Sequence, residues 1–320
     1  MLPDLLNYDI TNKALWQGRL DSLPMERFFQ HVLCEDIRTF SLQGLDIPVL
    51  VGFCCDEGIR RNEGRVGAFG GPDKLREQLA KLACHRNTPF LDIGNIVCDD
   101  GDLEAAQQQF ARLISDCHSQ GLKTIAFGGG HELAWAHYLG ISSYYPNLGI
   151  INFDAHFDIR PLYDGRLGTS GSPFWQIKHH RDRKNLPFEY CCLGIQPLAN
   201  TSSLWHSAKE WNISYLTAED IHTQTLAQQT VFLDHFIKNH DQIYLSICLD
   251  VFAECFAPGV SAPQPLGLVP WQTLPLLKYI VQTGKVVCID IAELSPPLDH
   301  EQKTARLAAG IIAELLNLKD

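Results

Sequence analysis

No stretch of this 320-residue chain carries the roughly 20 consecutive apolar residues that a bilayer-crossing helix needs, so no membrane anchor is expected. The opening residues, MLPDLLNYDITNKALW, lack the basic start and the long apolar run of a secretory leader. Basic charge is in the minority. With 26 Lys and Arg against 37 Asp and Glu, the net charge is −11. That balance argues against a nucleic-acid groove or an anionic membrane surface and suits a protein that holds cations. There is no C-x-x-C pair, which removes a structural zinc knuckle. Eleven cysteines are an odd number, and two pairs are adjacent in sequence (Cys54-Cys55 and Cys191-Cys192), an awkward geometry for bridging. They read as reduced thiols in a cytoplasm. Internal repeats, low-complexity tracts and Ser/Gly linkers are also missing, so nothing in composition divides the chain.

What is present is a globular composition, 45% hydrophobic and 20% charged, on a chain long enough for a well-buried core. Residues 1–44 are polar and irregular, with a helix expected around Pro24–Cys34, and read as an extension packed on the domain that follows. From residue 45 to 320, apolar strands alternate with helices. Strands are expected at Asp46–Cys54, Phe90–Val97, Thr124–Phe127, Leu148–Phe153, Tyr190–Gly194, Ile213–Leu216, Gln242–Leu249 and Lys285–Ile291. Helices are expected at Gly71–Cys84, Asp102–Cys117, from about Glu132, and at Thr225–Asn239, Pro270–Gln282 and Glu301–Leu316. This alternation indicates βαβ units. The expected fold is a single-domain, three-layer α/β/α arrangement with a mostly parallel sheet of about eight strands.

In an open parallel sheet, ligands bind beyond the carboxyl ends of the strands. Four strands here end in unusual polar residues. Thr124–Phe127 runs into Gly128-Gly129-Gly130-His131-Glu132. Leu148–Phe153 runs into Asp154-Ala155-His156-Phe157-Asp158. The strand from Gln242 ends Ser246-Ile247-Cys248-Leu249-Asp250, and the last strand ends Ala292-Glu293. In an extended segment alternate residues share a face, so Asp154, His156 and Asp158 point one way. Two carboxylates in that set repel each other in a dry site unless a cation joins them. The G-G-G run is neither a P-loop nor G-x-G-x-x-G, which leaves phosphate cradling poorly supported. His131, Asp154, His156, Asp158, Cys248 and Asp250 are too many donors for one tetrahedral zinc. They suit two octahedral-leaning ions, with manganese favoured by an oxygen-rich set. Two such ions acidify a shared water, which points to a metal-assisted hydrolase.

These strand ends resemble the metal motifs of the ureohydrolase (arginase/agmatinase) family. G-G-G-H (Gly128–His131), D-A-H-F-D (Asp154–Asp158) and S-I-C-L-D (Ser246–Asp250) stand for that family's G-G-x-H, D-A-H-x-D and S-x-D-x-D. The run A-E-L-S-P-P-L-D (Ala292–Asp299) is similar to its E-x-N-P-x-x-D segment, with Ser295 where Asn is usual. Four details are similar to its histidine-degradation branch: Glu132, the Asp56–Ala68 block, Trp16–Asp21 and Ser170–Phe174. The resemblance implies an arginase-like fold and hydrolysis of N-formimidoyl-L-glutamate to L-glutamate and formamide. It also implies two Mn2+ per chain. His131 and Asp158 would bind one ion, and His156 and Asp250 the other. Asp154 would bridge them, as would position 248, where Cys248 replaces the usual Asp. A thiolate is softer and offers one donor atom in place of two.

The mechanism so implied is attack of a metal-bridging hydroxide on the amidine carbon, with Asp158 carrying a proton to the departing amine. Glu293 either pairs with the cationic amidinium or caps the segment before Pro296-Pro297. Arg160 either grips a substrate carboxylate or is a surface residue. Ser170 and Ser172 either donate to the substrate or belong to a plain turn. Asn62 and Arg65 read as loop-structuring residues. The expected partner is a small-molecule substrate, with no nucleic acid and no membrane, and a homo-oligomer is left open. Two other readings remain: a ureohydrolase that releases urea, and a non-catalytic relative weakened at Cys248.

Overall fold

The computed structural model describes residues 5–318. Its strands are β1 (Tyr8–Asp9), β2 (Val32–Cys34), β3 (Val49–Cys54), β4 (Phe90–Val97), β5 (Thr124–Gly128), β6 (Leu148–Phe153), β7 (Glu189–Ile195), β8 (Ser214–Thr217), β9 (Gln242–Cys248) and β10 (Val286–Ala292). The helices are α1 (Glu57–Arg61), α2 (Gly71–Leu79), α3 (Leu103–Ser119), α4 (Leu133–Ile141), α5 (Pro173–Arg183), α6 (Ser202–Glu210), α7 (Ala218–Thr223), α8 (Leu226–Ile237), α9 (Pro270–Gln282) and α10 (Lys303–Leu316). The strands form one sheet in the order β1-β4-β3-β5-β10-β9-β6-β7-β8, with β2 also on β4. Every pairing is parallel except β1 with β4.

The central strands are buried on both faces, which is why they read as near-continuous apolar runs. Residues alternate between the layers. Leu50 faces the core formed with α2, α8, α9 and α10, while Val49, Val51 and Phe53 face the core formed with α3, α4, α5 and α6. Pro72, Pro173 and Pro270 stand in the first turns of α2, α5 and α9, where a missing N–H costs nothing.

The sheet has ten strands among the described residues, not eight. The two additions, β1 and β2, are only two and three residues long, too short to carry an alternating pattern, and they form by pairing with β4. The helix expected around Pro24–Cys34 is instead a single 3-10 turn, Phe28–Gln30, followed by β2. The helix expected to run from Gly71 to Cys84 stops at Leu79. Both departures have one cause. The Phe29 and Phe28 N–H groups donate to the Ala80 and Leu82 carbonyls, and the Cys84 N–H donates to the Glu26 carbonyl. The two segments satisfy each other in place of forming local ladders.

The strand register sets up the site. Phe127, Ile291, Ile247 and Phe153 lie opposite one another across β5, β10, β9 and β6. Cys248 lies opposite Ala292 in the next row, and Asp154 leaves β6 just past Phe153. Four neighbouring strands therefore release their chains at one level on one edge.

Candidate metal centre

Each candidate ligand sits at or just past one of those four strand ends. His131 follows β5 through three glycines. The middle one, Gly129, donates its N–H to the Phe53 carbonyl at 2.8 Å, and a Cβ there would lie 1.7 Å from the Cys55 carbonyl oxygen. Only glycine lets the chain pass this close to β3 before turning into α4. His131 is 1% exposed, with its Nδ1 2.8 Å from Asp158 Oδ2 and 3.0 Å from Asp154 Oδ2. His156 Nδ1 is 3.1 Å from Asp250 Oδ2 and 3.5 Å from Asp154 Oδ1. Asp154 thus lies between the two imidazoles. Donor atoms of His131, Asp154 and Cys248 fall within 4.8 Å of one another, and so do those of Asp154, His156 and Asp158. The two groups share Asp154.

The electrostatics describe a cluster that wants cations. Burial, with Asp154 alongside, lifts Asp158 to about 6 and raises Asp250 as well. Burial also raises the Cys248 thiol well above its usual range, aided by the carboxylates of Asp154 and Asp250. Burial opposes charge on both imidazoles. The carboxylates around them outweigh it and hold His131 and His156 well above the ordinary histidine range. Protons therefore stand where positive charge is needed. Carboxylate oxygens and imidazole nitrogens at this density fit hard-to-borderline divalent ions, and Cys248 adds one soft donor.

Two site residues adopt a left-handed backbone, Asp158 at φ +50° and Glu293 at φ +74°. Such a conformation is costly away from glycine and persists where surroundings fix it. Glu293 is held by the His131 N–H, which donates to its Oε1 at 3.0 Å, and is 5% exposed. Its carboxyl is raised well above the usual range by burial and by Glu132 nearby.

The remaining candidates are more dispersed. Arg160 is exposed, donates its backbone N–H to the Gly171 carbonyl at 2.8 Å, and lines a cavity of about 400 Å³ with Asn62, Tyr163 and Thr169. The Ser170 N–H donates to the Gly58 carbonyl at 3.0 Å. The Ser172 hydroxyl is held inside its own turn, accepting from the Thr169 N–H at 2.8 Å and within 3.1 Å of the Thr169 carbonyl. Arg65 ties its loop to the Val260 and Ser261 carbonyls.

Sequence reasoning assigned no role to Ser246, Asp290 or Asn152, all fully buried just under the ligands. The signal was there: a charged or polar residue inside an otherwise apolar strand, as in V-V-C-I-D-I-A.

A doubly covered parallel sheet with a shared-carboxylate ligand cluster at its carboxyl edge defines a metal-dependent α/β enzyme class. The Arginase family model matches residues 47–317, and the chain belongs to that family. It is 58% identical over 317 residues to the formimidoylglutamase of Legionella pneumophila (strain Paris), covering 99% of both chains. Its fold matches the crystal structure of formimidoylglutamase from Bacillus subtilis subsp. subtilis str. 168 at TM-score 0.83 and 23% identity, over 93% of each chain. It also matches Trypanosoma cruzi formiminoglutamase with Mn2+ at TM-score 0.76 and 22% identity, over 84% of this chain and 92% of the other.

Proposed function

We propose that this chain is a formimidoylglutamase, hydrolysing N-formimidoyl-L-glutamate to L-glutamate and formamide with two Mn2+. The observation that carries the reading is the convergence of six candidate ligands from the ends of three strands, β5, β6 and β9, in a chain 58% identical over its length to an enzyme of that name. His131, Asp154, His156, Asp158, Cys248 and Asp250 would hold the two ions. When bound, the ions acidify water and stabilise negative charge on the attacked carbon's substituents.

The chain's own groups do the rest. Asp158 accepts a hydrogen bond from the attacking water and carries its proton to the glutamate nitrogen as the carbon–nitrogen bond breaks. Glu293 pairs with the cationic amidinium and orients it. Arg160, at the mouth of the cavity, grips a substrate carboxylate through its planar guanidinium. Ser170 follows Thr169, which lines the same cavity. Ser172 shapes the turn that presents it. A cytoplasmic setting fits eleven unpaired thiols, all buried but Cys255. No helix among the described residues is long and apolar enough to cross a membrane.

The test is a release assay on purified, manganese-loaded protein with N-formimidoyl-L-glutamate, arginine and agmatine, alongside elemental analysis. Formamide from the first substrate with two manganese per chain is expected. Faster urea release from either guanidinium compound would overturn the substrate. Full metal occupancy with no hydrolysis would overturn the catalytic reading.

A further inference from the structure

Beneath the ligand edge runs a second row of polar side chains. Asn152, Ser246 and Asp290 lie opposite one another on β6, β9 and β10, all fully buried. A carboxylate in the middle of a sheet is costly unless donors surround it. Asp290 has three. Ser246 donates to its Oδ1 at 2.5 Å, the Tyr244 hydroxyl donates to Oδ2, and His137 Nδ1 lies 3.3 Å from Oδ2.

The donor inventory fixes the direction of each bond. An ionised carboxylate only accepts. Ser246 therefore spends its single proton on Asp290, which leaves its Oγ as an acceptor. The atom 2.9 Å from that oxygen is His131 Nε2, so Nε2 carries a proton. In the neutral ring the lone pair is then on Nδ1, the nitrogen facing Asp154 and Asp158. On the far side, His137 donates through Nδ1, so its Nε2 accepts from the Thr124 hydroxyl at 2.9 Å. Thr124 in turn accepts from His118 Nε2 at 3.0 Å, and His118 Nδ1 accepts from the Tyr145 hydroxyl at 3.0 Å. One carboxylate orders the protons on three imidazoles.

We propose that Asp290 is a positioning residue for the metal site: acting through Ser246, it holds His131 in the tautomer and orientation that present Nδ1 to an ion. The inference rests on His131 being a metal ligand. A ring without this partner can flip or shift its proton, and then offers N–H where a lone pair is needed.

The test measures Mn2+ affinity of the metal-free protein by chelator competition. Its panel is wild type, Ser246→Ala, Asp290→Asn, the double variant and Tyr244→Phe, each with its thermal midpoint. Ser246→Ala and Asp290→Asn are each expected to weaken one manganese site about 10–100-fold. The double variant is expected to be no weaker than Ser246→Ala alone, because the carboxylate acts through that hydroxyl. Tyr244→Phe removes a donor from the same carboxylate on the arm away from His131. It should lower the thermal midpoint and leave manganese affinity unchanged. Wild-type affinity in Ser246→Ala, or losses that multiply in the double variant, would overturn the proposal. If Asp290→Asn does not fold, the contrast between Ser246→Ala and Tyr244→Phe decides it. If wild type takes up no manganese, the ligand reading fails first, a result distinct from unchanged affinity in the variants.

Discussion

Cys248 is the residue on which the proposed metal site is least ordinary. Its sulfur lies within 4.8 Å of donor atoms of His131 and Asp154, and the side chain is 1% exposed. Burial and adjacent carboxylates oppose a free thiolate there, so ionisation has to come with metal binding, which deprotonates a coordinating thiol. Cys248→Ala is expected to retain one tight ion and lose at least about tenfold in affinity for the other, a loss no smaller than that for an outer partner. Metal analysis after dialysis reads this, and a thiolate-to-metal absorption in cobalt-substituted wild type should vanish in the variant. Arg160→Ala is a different case. A charge-assisted bond to a carboxylate contributes about 1.5–3 kcal/mol, so KM for N-formimidoyl-L-glutamate should rise about 10–100-fold with kcat nearly unchanged.

At the scale of elements, the N-terminal segment, besides pairing β1 and β2 with β4, converges on one buried ion pair. Arg76 on α2 reaches Asp92 on β4 with two bonds, of 2.8 and 2.9 Å, and both side chains are fully buried. Asp92 also accepts from Thr11 and from the Trp16 indole, each at 2.7 Å. Removing one partner leaves a buried charge alone. Arg76→Met is expected to cost about 3–5 kcal/mol in denaturant unfolding and to open the segment before Phe28 to limited proteolysis. The three-glycine turn after β5 is the other sensitive joint. Gly129→Ala drives a methyl group into the Cys55 carbonyl, so a loss of several kcal/mol in stability is expected, read as a lowered thermal midpoint.

Across the whole molecule, buried polar groups couple stability to pH. His118 is held neutral, pushed down to about 3 by burial and secondarily by His137. The unfolded chain takes up that proton near pH 6.5, while the folded chain does not. Stability is thus undiminished above pH 6.5 and falls as pH drops towards 3, by about 2 kcal/mol at pH 5. In urea unfolding of the metal-free protein, His118→Gln should flatten that part of the profile. How the molecule was legible follows a physical line. The strand Leu148–Phe153 was read to the residue because burial on both faces writes a continuous apolar run, and the helix Pro270–Gln282 because Pro270 opens it and Thr273, Leu276, Leu277 and Ile280 recur at helical spacing on its one buried face. The chemistry-bearing residues were legible because they are runs of donors where such runs stop. The short strands β1 and β2 were not, since their only support is pairing with β4, which lies far along the chain. Neither was the order β5-β10-β9-β6, which pairs Thr124 with Cys288 and Leu148 with Gln242 across long intervening segments. The sequence by itself determined the fold class and which residues stand at strand ends, because local periodicity and burial are encoded locally. Only tertiary structure decided that Asp154 lies between His131 and His156, and that Asp290 lies opposite Ser246, because strand order and register are set by packing between distant segments.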